Sequence, residues 1–104
     1  MPRFETKGEE LYIDGKKVLK GWEDRRLGWY WFGIDGSKKQ DTVIEGKIYK
    51  SDKIWYGLEQ SFIDEWGYFS QAEIEYLKPG IREIKKKDLP NAGNRERFRA
   101  CKKR

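Results

Sequence analysis

Five Trp, six Tyr and five Phe have to build the interior of this chain, because little else in it can. Charged residues fill 39% of its 104 positions and aliphatic residues are scarce. A chain of that balance stays disordered unless its rings are buried. Each buried ring removes roughly 150–250 Å² from water, so about ten of them suffice for a small domain. The sequence therefore reads as folded, and its length corresponds to one domain, residues 1–104.

The rings fall on segments with strand character. Residues 11–20, LYIDGKKVLK, read as a hairpin, since Asp14-Gly15 between two β-prone runs takes the positive φ angles of a type I′ turn. GWEDRRLG, residues 21–28, reads as a loop. Trp29 to Ile34 is the strongest strand, with Trp29 and Trp31 on one face and Tyr30, Phe32 and Ile34 on the other. A strand apolar on both sides is either central and covered twice, or keeps one aromatic face open for a ligand. The turn Asp35-Gly36-Ser37-Lys38-Lys39 leads into TVIEGKIYK, where Ile44, Gly46 and Ile48 share a face. Ser51-Asp52-Lys53 turns the chain again into IWYGL. Three strands joined by short polar turns predict an antiparallel meander. Ser70 and Glu73 have capping-box spacing, and Ala72, Ile74 and Leu77 supply the inner side of a short helix stopped by Pro79-Gly80. Residues 81–89 fit a helix or a strand, and Asn94 can cap a second helix carrying Arg95, Arg99 and Lys102 on one side and Phe98 with Cys101 on another.

Three of these segments carry a family resemblance. Trp29-Tyr30-Trp31-Phe32, then Trp55-Tyr56-Gly57-Leu58, then Glu65-Trp66-Gly67-Tyr68-Phe69-Ser70 followed by Glu73-Ile74, resemble the domain-of-unknown-function family numbered 2958. The last stretch is similar to that family's Gly-Tyr-x-Ser-x-x-Glu-Leu pattern, with Ile74 in place of the leucine. The resemblance covers residues 29–77 and implies an accessory gene on a plasmid, virus or other mobile element; it brings no catalytic residue with it.

Charge is unevenly spread. Residues 1–80 carry 13 Lys/Arg against 15 Asp/Glu, net −2, whereas residues 81–104 carry 10 against 3, net +7. The excess lies in Lys85, Lys86 and Lys87 and in Arg95, Arg97, Arg99, Lys102, Lys103 and Arg104. Such a terminal block is an electrostatic footprint for nucleic acid or another acidic partner, or a solvated tail that aids solubility.

Several chemistries are excluded or disfavoured. With no histidine, His-based triads, zincin motifs and imidazole switches are out. One cysteine, Cys101, cannot staple a domain, which predicts a reducing, cytoplasmic setting. No signal peptide is expected from MPRFETKGEELYI, and no run approaches the roughly 18 apolar residues of a membrane span. Gly28 and Gly33 have P-loop spacing, but Ile34 and Asp35 stand where Lys and Ser/Thr are required. The 35–46 segment lacks the central Gly and final Glu of a calcium loop. Asp64, Glu65 and Glu59 lie near Trp66, yet adjacent residues of an extended chain point apart. Cys101 has no histidine to activate it and reads as an incidental thiol.

What remains is binding. Aromatics interleaved with cations stack bases while Lys and Arg hold phosphates. Trp29, Trp31 and Trp55, with Tyr56, lie among Lys38, Lys39, Lys47, Lys50 and Lys53, and are either such a surface or the core itself. The sequence thus predicts an α+β domain: a small antiparallel sheet with one or two short helices, a body over residues 1–80 and a basic C-terminal extension over 81–104. It predicts a non-enzymatic binder of nucleic acid or a nucleoprotein complex, with no cofactor, metal or membrane. The alternative is a modulator that inhibits a host defence complex through a protein interface.

Overall fold

Two tight turns organise the chain. Asp14 and Gly15 have φ of 51° and 78°, and Glu45 and Gly46 have φ of 51° and 82°. These are the left-handed pairs of type I′ hairpins. The computed structural model describes residues 2–77 and 80–92. The first turn joins β2 (Glu10–Ile13) to β3 (Lys16–Lys17), as the sequence predicts, and β1 (Phe4–Lys7) pairs on the other side of β2. The second turn sits in a larger sheet of β4 (Lys20–Asp24), β5 (Trp29–Ile44), β6 (Lys47–Gln60), β7 (Asp64–Ser70) and β8 (Ile81–Glu83). Its order is β7-β6-β5-β4-β8, and every pairing is antiparallel. A meander is present but is built of β4 to β7, the three strands expected between Trp29 and Leu58 being β5 and β6 alone, and β8 crosses to the far edge.

Strand accounts for 62% of the described residues, so the α+β expectation holds only for its sheet and its short helices. Among the described residues helix is limited to a short turn at Glu73–Leu77, entered through Gln71 and Ala72, and a 3₁₀ turn at Lys86–Asn91. The hydroxyl half of the expected capping box forms, the Ser70 Oγ accepting from the Glu73 N–H at 3.1 Å. Ala72 and Ile74 face inward. The ambiguous segment after Gly80 divides into both states, strand and then 3₁₀ turn. Residues 81–92, counted by charge with the basic extension, are therefore built into the fold, with Leu89 and Ala92 in the core. The Pro79 stop and the helix expected from Asn94 lie outside the described residues.

Three predicted boundaries are corrected. Residues 35–39 do not turn; they run on within β5, where register shifts between Gly33 and Asp35 and between Asp35 and Lys38 take up the extra residues as bulges. Local turn chemistry is still present, since the Asp35 carboxylate accepts from the Ser37 N–H and hydroxyl at 2.9 and 2.7 Å. These two bonds, the backbone one foremost, hold the Asp35 carboxyl below its usual range. Ser51 likewise bulges inside β6 with φ 52°, its N–H donating to Asp41 at 3.0 Å. The reversal falls instead at Glu45-Gly46, so Gly46 shares no strand face with Ile44 and Ile48. Finally, Gly21 to Asp24 belong to β4 rather than a loop. Trp22 is wholly buried, and Gly21 leaves room for Leu89, whose Cδ1 would lie 2.7 Å from a Cβ there.

The large sheet is covered on both faces. On one, Phe32 and Leu58 pack with Leu11 and Ile13 of the small sheet, with Val18 just after β3, and with Ile84 and Leu89. On the other, Trp22, Trp31 and Trp55 pack with Ile74 of the helical turn. Trp31 and Phe32 thus alternate faces as predicted, and β5 is the central strand.

Candidate nucleic-acid interface

Burial redistributes the rings that the sequence nominates. Trp31 and Trp55 are each 3% exposed. Trp55 lies on the bare backbone of Gly33 and Gly36, and its Nε1–H donates to Gln71 Oε1 at 2.8 Å. Rings so enclosed offer no face to a base, which corrects their stacking role. Trp29 is half-buried between Trp31 and Phe62, with centroids 6.4 and 5.2 Å away. Lys85, Lys86 and Lys87 are exposed at the 3₁₀ turn and form no ion pair among the described residues. Arg95, Arg97, Arg99, Lys102, Lys103 and Arg104 lie outside the described residues.

A different set of rings reaches the surface together. The β6–β7 register places Leu58 opposite Trp66 and Tyr56 opposite Tyr68, and the period of two puts all four on one face. The small sheet covers Leu58 but leaves Tyr68 65% exposed. Tyr56 stacks on Trp66 at 6.1 Å and 17°, and meets Tyr68 edge-on at 5.1 Å. Two lysines lie over this strip: Lys38 Nζ is 4.8 Å from the Tyr68 centroid and Lys16 Nζ 5.9 Å from that of Trp66. Sequence reasoning named Tyr56 and Lys38 but missed Trp66, Tyr68 and Lys16. The alternation in Trp66-Gly67-Tyr68 is the signal that could have found the two rings.

More positive charge lies along residues 38–53. Among the described residues β5 and β6 pair here only with each other, because β4 pairs with Trp29–Gly33 and β7 with Ile54–Gln60. Lys39 and Lys53 stand directly opposite in this ribbon, an arrangement that repels. Lys50 is paired with Asp41 at 3.5 Å, whereas Lys38, Lys39, Lys47 and Lys53 form no ion pair among the described residues. A cleft of about 390 Å³ sets Arg25, Arg82 and Lys85 against Glu23, Glu83 and Asp88, so its charges cancel. Among the described residues no three Cys, His, Asp or Glu side chains cluster to hold a metal, and no helix is long and apolar enough to cross a membrane.

One strong charge pair is structural. Asp24, almost wholly buried at the end of β4, accepts from Arg26 Nε at 3.2 Å, Nη2 at 3.0 Å and the Arg26 N–H at 3.0 Å. The Arg26 side-chain bonds hold its carboxyl below the ordinary 3.8, against the opposing effect of burial. A depressed native pKa stabilises the fold above the unfolded value and ceases to do so as pH falls through the native one. Asp24→Asn is therefore expected to be less stable than the parent at neutral pH. The gap should close below pH 3.8, as urea denaturation at stepped pH will show. A gap independent of pH would assign the effect to packing.

No protein-family model, curated protein or solved structure matches this chain, so the interface rests on its own geometry.

Proposed function

We propose that this protein is a non-enzymatic binder of nucleic acid, with the Tyr56–Trp66–Tyr68 strip as its stacking platform and lysines as its phosphate contacts. The observation that carries this is the pairing of an exposed ring face with Lys38 and Lys16 held over it. Bases stack on aromatic faces whatever their sequence, and a cation displaced from the ring by an incoming base lies within reach of the adjoining phosphate. Lys53, over the Trp55 ring, and Lys39 opposite it lie on the other face of the sheet, and Lys85 to Lys87 follow β8 at its far edge, so these lysines raise the positive charge of the protein without belonging to the platform. An accessory gene of a mobile element, as the resemblance over residues 29–77 implies, in the cytoplasmic setting that the single cysteine suggests, suits such a binder.

Fluorescence anisotropy with a labelled single-stranded oligonucleotide tests this. Tyr68→Ala is expected to weaken binding by the worth of one stacked base, about 1–3 kcal/mol or roughly 5- to 150-fold. Lys38→Glu should instead flatten the dependence of affinity on salt, by about 0.7 in log–log slope for each phosphate contact removed. Removal of the terminal cations is best made after Ala92, because Leu89 and Ala92 are core residues. Should no oligonucleotide bind even in dilute buffer, the reading falls. A protein interface then takes precedence, centred on Phe62, 88% exposed, and Ile63 beside Trp29.

A further inference from the structure

The edge of the large sheet points to a second partner, argued from strand pairing rather than from stacking, although Trp66, Tyr68 and Lys38 belong to both surfaces. β7 is its outermost strand, and among the described residues no strand pairs with its free side. Exposed edges are ordinarily blunted by charged side chains, proline or a bulge. β7 carries charge only at its first two residues, Asp64 and Glu65, and has no proline or bulge: its seven residues pair with β6 in unbroken register, from Asp64 opposite Gln60 to Ser70 opposite Ile54.

We infer that β7 pairs antiparallel with β7 of a second copy about a two-fold axis at Gly67, joining the two large sheets into one. Gly67 is the central residue of the strand, so this register alone uses all seven positions. It sets Trp66 opposite the second copy's Tyr68, an aromatic cross-strand pair made twice. It keeps the acids apart, placing Glu65 opposite Phe69 and Asp64 opposite Ser70 of the other copy, whereas a register centred nearer Asp64 would oppose acid to acid. Charge is complementary as well. Asp64 shares the face of Tyr68, over which Lys38 lies, so each end of the joint brings one copy's Lys38 to the other's Asp64. Within one copy these two are kept apart, since Tyr68 is four residues and about 13 Å along the strand from Asp64. The aromatic strips of the two copies then run into one another across the axis.

Sedimentation equilibrium of the full chain tests this. The parent protein is expected to show a concentration-dependent mass rising to twice that of the monomer. Gly67→Lys introduces no clash in the monomer, because a Cβ at that position meets nothing within 4 Å. In the dimer it opposes two ammonium groups on the axis, so it should be monomeric with unchanged circular dichroism. Asp64→Lys should weaken dimerisation at least tenfold, and the charge-swapped Lys38→Asp/Asp64→Lys chain should regain it, which only an intermolecular pair explains. A parent protein that is monomeric at every concentration overturns the inference, and so does a dimer indifferent to both Gly67→Lys and Asp64→Lys.

Discussion

Gly57→Ala is expected to cost more than about 3 kcal/mol, beyond the usual range for added methyl groups in a packed interior, while Gly67→Ala should change stability by less than about 1 kcal/mol. The two glycines are directly opposite each other in β6 and β7, so composition and strand propensity cannot separate them. Their surroundings do. A Cβ on Gly57 would overlap the Phe32 carbonyl oxygen and lie 2.8 Å from its carbon. That carbonyl belongs to the central strand, whose Phe32 side chain is wholly buried, and backbone held there cannot swing aside as a flexible side chain would. Gly67 faces open space at an unstrained φ, and alanine there recovers some of the entropy that glycine loses in a strand. Urea denaturation followed by tryptophan fluorescence measures both. Since domains of this size carry only about 5–15 kcal/mol of stability, the Gly57 variant should be partly unfolded without denaturant near the low end of that range. Equal losses at the two positions would show that the backbone clash is not what fixes glycine at 57.

The same contrast shows what was legible in the sequence. Properties set by neighbours along the chain were readable: the Asp14-Gly15 turn, the alternation of Trp31 and Phe32, and the Ser70 cap are each decided within a few residues. The positions of the other reversals were not. Asp35-Gly36-Ser37 and Ser51-Asp52 have the composition of turns, but pairing between two long strands absorbs them as bulges. Glu45-Gly46, where the chain does reverse, has a first residue that seldom adopts left-handed φ. Errors in the interface have the same origin. Each bulge changes which residues share a face, so a period of two counted from Trp29 cannot be carried through to Trp55. Nor does periodicity show how far the small sheet extends, and it is that sheet's edge that buries Leu58 and leaves Tyr68 exposed.

Asp52 carries the second large effect. The bulge at Ser51 turns this carboxylate inward, where it is 7% exposed and accepts three hydrogen bonds. Oδ2 takes the hydroxyls of Thr42 and Ser70, and Oδ1 takes the Ala72 N–H at 2.9 Å. One side chain on β6 thereby ties together β5, the end of β7 and the residues leading into the helical turn. Asp52→Ala removes the acceptor for all three donors. An unpaired buried donor costs about 1–3 kcal/mol; the hydroxyls can rotate towards other acceptors but the Ala72 amide cannot, so a total of about 3 kcal/mol is expected. Asp52→Asn keeps a carbonyl for that amide while turning an NH₂ towards one or both hydroxyls, which can accept as well as donate, and should cost about half as much. The damage should concentrate where the helical turn meets the sheet. Gln71 holds the Trp55 indole, Glu75 accepts from Trp22 Nε1 at 3.3 Å, and Tyr76 stacks on Tyr49 at 4.9 Å. Amide exchange separates this local loosening from a global loss: in Asp52→Ala the Ala72 amide should exchange far faster than amides in the Phe32–Leu58 pairing. Uniform acceleration would mean that the carboxylate supports the whole sheet, and an unchanged Ala72 rate would mean that water already reaches this group in the native protein.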